Sequence, residues 1–111
     1  MENYYNYIAS LYESNKILCI DIDGKVYDVH NIEKLSLLMS APCDESNKKA
    51  TPLIFDSRDY KTLSEFMQAI YSNTVLCMEY IDHNEDKYNN DRVNTRYDSM
   101  YCIYNDIKEY V

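Results

Sequence analysis

A chain of 111 residues with 46% hydrophobic content can fill one modest core and is too apolar for a disordered chain. Its formal net charge of −8 argues against a general nucleic-acid binder, which needs a basic surface, and against docking on anionic lipid. No apolar run approaches a membrane span, and the start, MENYYNYIAS, lacks the basic and apolar regions of a signal peptide, so a cytoplasmic or nuclear protein is expected.

In chain order, residues 3–13 put Tyr4, Tyr7, Ile8, Leu11 and Tyr12 on one helical face. Ile17 to Ile22 alternates as a strand, with Leu18, Ile20 and Ile22 on one side and Cys19, Asp21 and Asp23 on the other. Asp23-Gly24 then fits a hairpin turn, because a type I′ turn needs positive φ at both central residues and Asp and Gly tolerate it. Tyr27 and Val29 continue the returning strand. Asn31 can cap a short helix carrying Ile32, Leu35, Leu38 and Met39, which stops at Ala41-Pro42.

Residues 43–51 read as a polar loop, and PLIFD, 52–56, as a short strand. Ser57 or Asp59 is the expected cap of a helix whose face is Leu63, Phe66, Met67, Ile70 and Tyr71, with Asn73 ending it. Residues 75–81 are apolar and open between strand and helix. DHNEDKYNNDRVNTRYD, 82–98, reads as a polar loop. A last helix, capped by Asp98, places Met100, Ile103, Tyr104, Ile107 and Val111 on one side. The expected fold is a single α+β domain over 1–111: a short mixed sheet with a β-hairpin, flanked by helices.

Cysteine stands at 19, 43, 77 and 102, without a C-x-x-C pair, and His30 and His83 add no zinc-ligand spacing. All four are expected as reduced thiols, mostly buried, in a reducing compartment, with no metal and no cofactor. Tyrosine occurs 13 times, tryptophan never, and Gly24 is the single glycine, whereas folds that cradle phosphates use several.

Two segments, DGKVYDVHNIEKLSLLMS over 23–40 and PLIFDSRDYKTLSEFMQAIYSNTV over 52–75, resemble the BTB/POZ superfamily, which includes the elongin C adaptors. The first is similar to that family's hairpin and following apolar helix, with His30 where many members carry a histidine. The second is similar to its third strand and the helix ending in Ile70-Tyr71-Ser72-Asn73. The resemblance implies a non-enzymatic adaptor that dimerises, or that joins a cullin scaffold to a receptor subunit in a ubiquitin ligase. A viral or parasite effector imitating such an adaptor is compatible with it. Carried over, the cullin-facing surface falls on Asp59 to Tyr71 with Asn73 and Thr74. Tyr60, Tyr101 and Tyr104 join these as aromatic contact candidates, since tyrosine combines a large apolar area with a polar tip.

The alternative is chemical. ILCIDIDG also resembles the first motif of haloacid dehalogenase-type phosphatases, with Asp21 as nucleophile, Asp23 as general acid/base and magnesium between carboxylates and phosphate. In that reading Ser57 of LIFDSR would bind phosphate, Lys87 would be the motif lysine and Asp106 a magnesium ligand. The chain is short for the doubly wound sheet such an enzyme needs.

Overall fold

The computed structural model describes residues 3–20, 26–28, 53–84 and 91–111. Along the chain these form helix α1 (Tyr4–Glu13), strands β1 (Ile17–Ile20), β2 (Val26–Asp28) and β3 (Leu53–Asp56), a 3-10 turn (Ser57–Asp59), helix α2 (Leu63–His83), helix α3 (Asp91–Ile107) and a final 3-10 turn (Lys108–Tyr110). The architecture is α+β. The expected turn at Asp23-Gly24, the helix over 32–39 and the loop over 43–51 lie outside the described residues, as do Asp21, His30 and Lys87.

Helix α1 begins at Asn3, whose side chain accepts the Asn6 N–H at 3.3 Å. Its first turn has no acidic residue of its own. Asp106 supplies one from the far end of the chain: its Oδ2 accepts the Tyr4 N–H at 2.7 Å, setting a carboxylate at the positive end of the helix dipole. At the other end Lys16 N–H reaches the Leu11 carbonyl and Asn15 N–H the Tyr12 carbonyl. That is a Schellman closure, with Asn15 at φ 53° in the left-handed position that asparagine tolerates. The chain turns there directly into β1.

β1 is the centre of a three-stranded sheet in the order β2-β1-β3. Both neighbours are antiparallel, so the described sheet is antiparallel and not mixed as expected. The hairpin of β1 and β2 is present, with Ile20 opposite Val26. Leu18 faces Phe55 across β1 and β3, and both are buried, whereas Ile54 is exposed on the other face. One face of the sheet therefore meets the core.

α2 is longer than its predicted face. It opens at Thr62, whose Oγ1 accepts the Glu65 N–H at 3.2 Å, while the Glu65 carboxylate accepts the Lys61 N–H at 3.1 Å. Thr62 thus caps α2, with Glu65 reaching back past it to the Lys61 N–H, and neither Ser57 nor Asp59 caps this helix. Asp56 caps the 3-10 turn instead, and Arg58 pairs with it through Nη2 at 2.7 Å, holding the Asp56 carboxyl below its ordinary range. Asn73 does not end α2: its Nδ2 donates to the Ala69 carbonyl at 2.9 Å, and the helix runs on through 75–81 to His83. α3 starts at Asp91, so Asp98 is inside it and most of the expected loop over 82–98 is helical where described.

The buried residues form two apolar clusters. Ile8, Leu11, Leu18, Phe55, Phe66, Met67, Ile70, Ile103 and Ile107 make the larger one. Cys77, Met78, Ile81 and Met100 make the smaller. Val111, expected on the buried side, is exposed. Two cysteines correct the thiol reading. Cys77 is disulfide-bonded, to a partner outside the described side chains, and Cys102 is a free but exposed thiol. Cys77 is therefore not the reduced thiol expected of a reducing compartment. Among the described residues no helix is long and apolar enough to cross a membrane.

Two polar groups give opposite predictions. Asp106→Ala removes the carboxylate that accepts the Tyr4 N–H beside the Asn3 cap and is expected to cost about 1 kcal/mol in chemical denaturation. Ser57 is 1% exposed and its Oγ has no hydrogen-bond partner among the described residues. Ser57→Ala removes an unpaired buried hydroxyl, so it should leave stability unchanged or raise it by up to about 1 kcal/mol in the same assay.

Candidate functional site

Two helical stripes meet where the second half of α2 lies along α3. On α2, Val75, Glu79 and Asp82 follow at steps of four and three, with Met78 beside them. From α3 into the turn after it, Tyr97, Tyr101, Tyr104 and Lys108 follow at steps of four, three and four. Between the stripes lies an open groove of about 320 Å³ lined by these eight residues. Beneath it sits the smaller apolar cluster, against which Tyr97 and Tyr104 pack.

Tyr104 is the centre of the wall. Its ring stacks on Tyr71 at 5.4 Å and 21° and on Tyr101 at 5.9 Å and 25°. The Lys108 ammonium lies 5.7 Å from the Tyr104 centroid, within cation–π range. A hydrogen bond with Tyr104 is the first cause that holds the Tyr71 phenol above its ordinary range, followed by burial. Tyr97 closes the groove across to α2, its hydroxyl donating to Asp82 Oδ2 at 3.1 Å. Burial first, and then the bond to Asp82, push the Tyr97 phenol up.

The expected contact residues divide. Tyr71, Tyr101 and Tyr104 come together in one stacked ladder, and Tyr101 is 49% exposed. Asp59 is exposed at the end of the first 3-10 turn. Tyr60 packs its ring against Phe66 at 5.5 Å, and its carbonyl accepts the Tyr12 hydroxyl at 3.2 Å, so it belongs to the core wall. Asn73 is half-buried and turned onto its own helix. Thr74 is 4% exposed, its hydroxyl donating to the Ile70 carbonyl at 2.8 Å. It is a core residue and cannot meet a partner. Glu79, Asp82, Tyr97 and Lys108 were not predicted. The signal for Tyr97 is its spacing of three and seven residues from Met100 and Tyr104.

Of the phosphatase candidates, Ser57 and Asp106 are described, whereas Asp21, Asp23 and Lys87 lie outside the described residues. Ile20, the end of β1 that leads to Asp21, lies opposite Leu53, whereas Ser57 follows Asp56, which lies opposite Ile17. Antiparallel pairing thus sends Ser57 off the other end of the strand pair. Asp106 is engaged at the start of α1.

Because the folded chain disfavours the Tyr97 phenolate, this group's contribution to stability is complete below the ordinary phenol pKa of about 10 and is lost as the pH rises through the higher folded value. In Asp82→Asn the Tyr97 titration, followed by ring-carbon NMR, should move down. It should remain above the ordinary value, since burial is the first cause.

The chain matches no protein-family model, no curated protein and no solved structure.

Proposed function

We propose that this chain works by binding another protein, and that the Tyr71–Tyr104–Tyr101 ladder with its groove is the contact surface. The observation that carries this is an aromatic face mounted on two packed helices, with Tyr101 half-exposed at its rim. Rigid aromatic side chains bring large contact area with little ordering cost, which is why they concentrate at interfaces. No residue is assigned catalysis.

The finer reading is a BTB/POZ-like adaptor that links a cullin scaffold to a receptor subunit, pairs with itself, or imitates such an adaptor as an effector. In support of it stand the resemblance over 23–40 and 52–75, the antiparallel hairpin of β1 and β2, and a long helix following β3 and its 3-10 turn. On this reading the chain resides in the cytoplasm or nucleus. Disulfides are rare there, so the Cys77 bond makes redox state a variable to control in any binding assay.

The test is affinity capture of the tagged chain with quantitative mass spectrometry, comparing wild type with Tyr101→Ala. The expected result is a cullin, a receptor subunit or a second copy at stoichiometric level, lost in the variant while the thermal melt is unchanged. A magnesium-dependent phosphatase activity that disappears in Asp21→Asn would overturn the reading.

A further inference from the structure

We propose that the groove between α2 and α3 receives a basic side chain, arginine above all, carried by an extended segment of the partner protein. The proposal rests on the protein-binding reading and names the chemistry of what binds.

The walls select for a cation. Tyr97, Tyr101 and Tyr104 supply ring faces whose quadrupole attracts positive charge. The facing helix supplies two exposed carboxylates, Glu79 and Asp82. Glu79 has no ion pair or hydrogen bond among the described residues. Asp82 uses Oδ2 for the Tyr97 hydroxyl, and no described residue engages Oδ1. Val75 and Met78 give the groove an apolar side against which a methylene stem can lie.

The chain already demonstrates the preference. Lys108, from the turn after α3, places its ammonium over the Tyr104 ring. It is an exposed lysine on a flexible stem, so an incoming cation can displace it. Arginine is the better competitor, because its planar guanidinium stacks on aromatic faces and can bind a carboxylate through two N–H groups.

Size and charge set the source. A groove of about 320 Å³ is at the small end for ligand sites and accommodates a side chain with its adjoining backbone. The net charge of −8 draws basic segments toward the surface. The same carboxylates repel the phosphates of nucleic acid.

The experiment is an NMR titration of the full chain with an acetylated, amidated Gly-Arg-Gly-Arg-Gly peptide. The citrulline version has nearly the same shape without the charge, and free arginine amide has the charge without the segment. The arginine peptide is expected to shift the ring signals of Tyr97, Tyr101 and Tyr104 and to bind more tightly than either control. Tyr101→Ala and Asp82→Asn should each weaken it by about two- to fivefold, the scale of a cation–π or charge contact at an exposed site. Lys108→Ala should tighten it by a similar factor, and Lys61→Ala, the same charge change at the start of α2, should not.

Equal binding of the citrulline peptide, no groove shifts, or equal effects of the two lysine variants would overturn the proposal. Free arginine amide binding as tightly as the peptide would overturn the assignment to a protein segment. If any of these occurs while partner capture is still lost in Tyr101→Ala, protein binding stands and only this chemistry falls.

Discussion

An unbroken α2 is the constraint on which the rest depends. Its buried stripe of Phe66, Met67, Ile70, Thr74, Cys77, Met78 and Ile81 runs the length of the helix, about 30 Å at the usual rise per residue. The first three of these sit in the larger cluster and the last three in the smaller. Each large apolar side chain so buried contributes about 1.5–3 kcal/mol. Thr74 joins the two sets, and its hydroxyl is satisfied within the helix, so a polar residue crosses the core with its donor paired. α3 touches both clusters, through Ile103 and Ile107 at one end and Met100 at the other. The groove exists because these two helices stay side by side past the sheet.

Tyrosine does much of the work that tryptophan and phenylalanine do elsewhere. Tyr12 and Tyr60 flank Phe66, each ring at 5.5 Å, and the Tyr12 hydroxyl reaches a backbone carbonyl. Tyr5 stacks on Tyr110 at 3.7 Å, joining α1 to the last turn of the chain. Tyr71, Tyr104 and Tyr101 form the ladder at the groove. Aromatic pairs of this kind add about 0.5–1.5 kcal/mol beyond area burial, and each hydroxyl lets the ring sit at a boundary between core and water. A chain with 13 tyrosines can therefore wrap a small core in half-buried rings.

Much of the core was legible as periodicity. Ile8 and Leu11 in α1, Phe66, Met67 and Ile70 in α2, and Met100, Ile103 and Ile107 in α3 are apolar at helical spacing, and all are buried. Element ends were less legible. Asn73 reads as a stop, but one asparagine costs a helix little, and the apolar stripe beyond it outweighs that cost. The polar run DRVNTR, 91–96, has a single apolar residue and no amphipathic signal, yet it continues into a packed helix. The Thr62 cap was readable from the Thr-x-x-Glu spacing of Thr62 and Glu65. Antiparallel pairing of β3, the disulfide at Cys77 and the Asp106 contact join residues far apart in sequence, and no local pattern reveals them. For the site, Tyr101 and Tyr104 were visible as aromatic candidates and Tyr97 was within reach of the same helical spacing, whereas Glu79 and Asp82 acquire meaning only once α2 and α3 are laid together.

The bond between Asp106 and the Tyr4 amide spans 102 positions, nearly the whole chain. During synthesis α1 leaves the ribosome 102 positions before the carboxylate that completes its first turn. The larger cluster likewise needs Ile103 and Ile107 beside Ile8 and Leu11. A nascent chain that has not yet reached Ile103 thus holds an amphipathic helix with part of its seat missing. Such non-local closure slows folding and leaves apolar surface uncovered until the end. Loss of residues 103–107 would unseat α1.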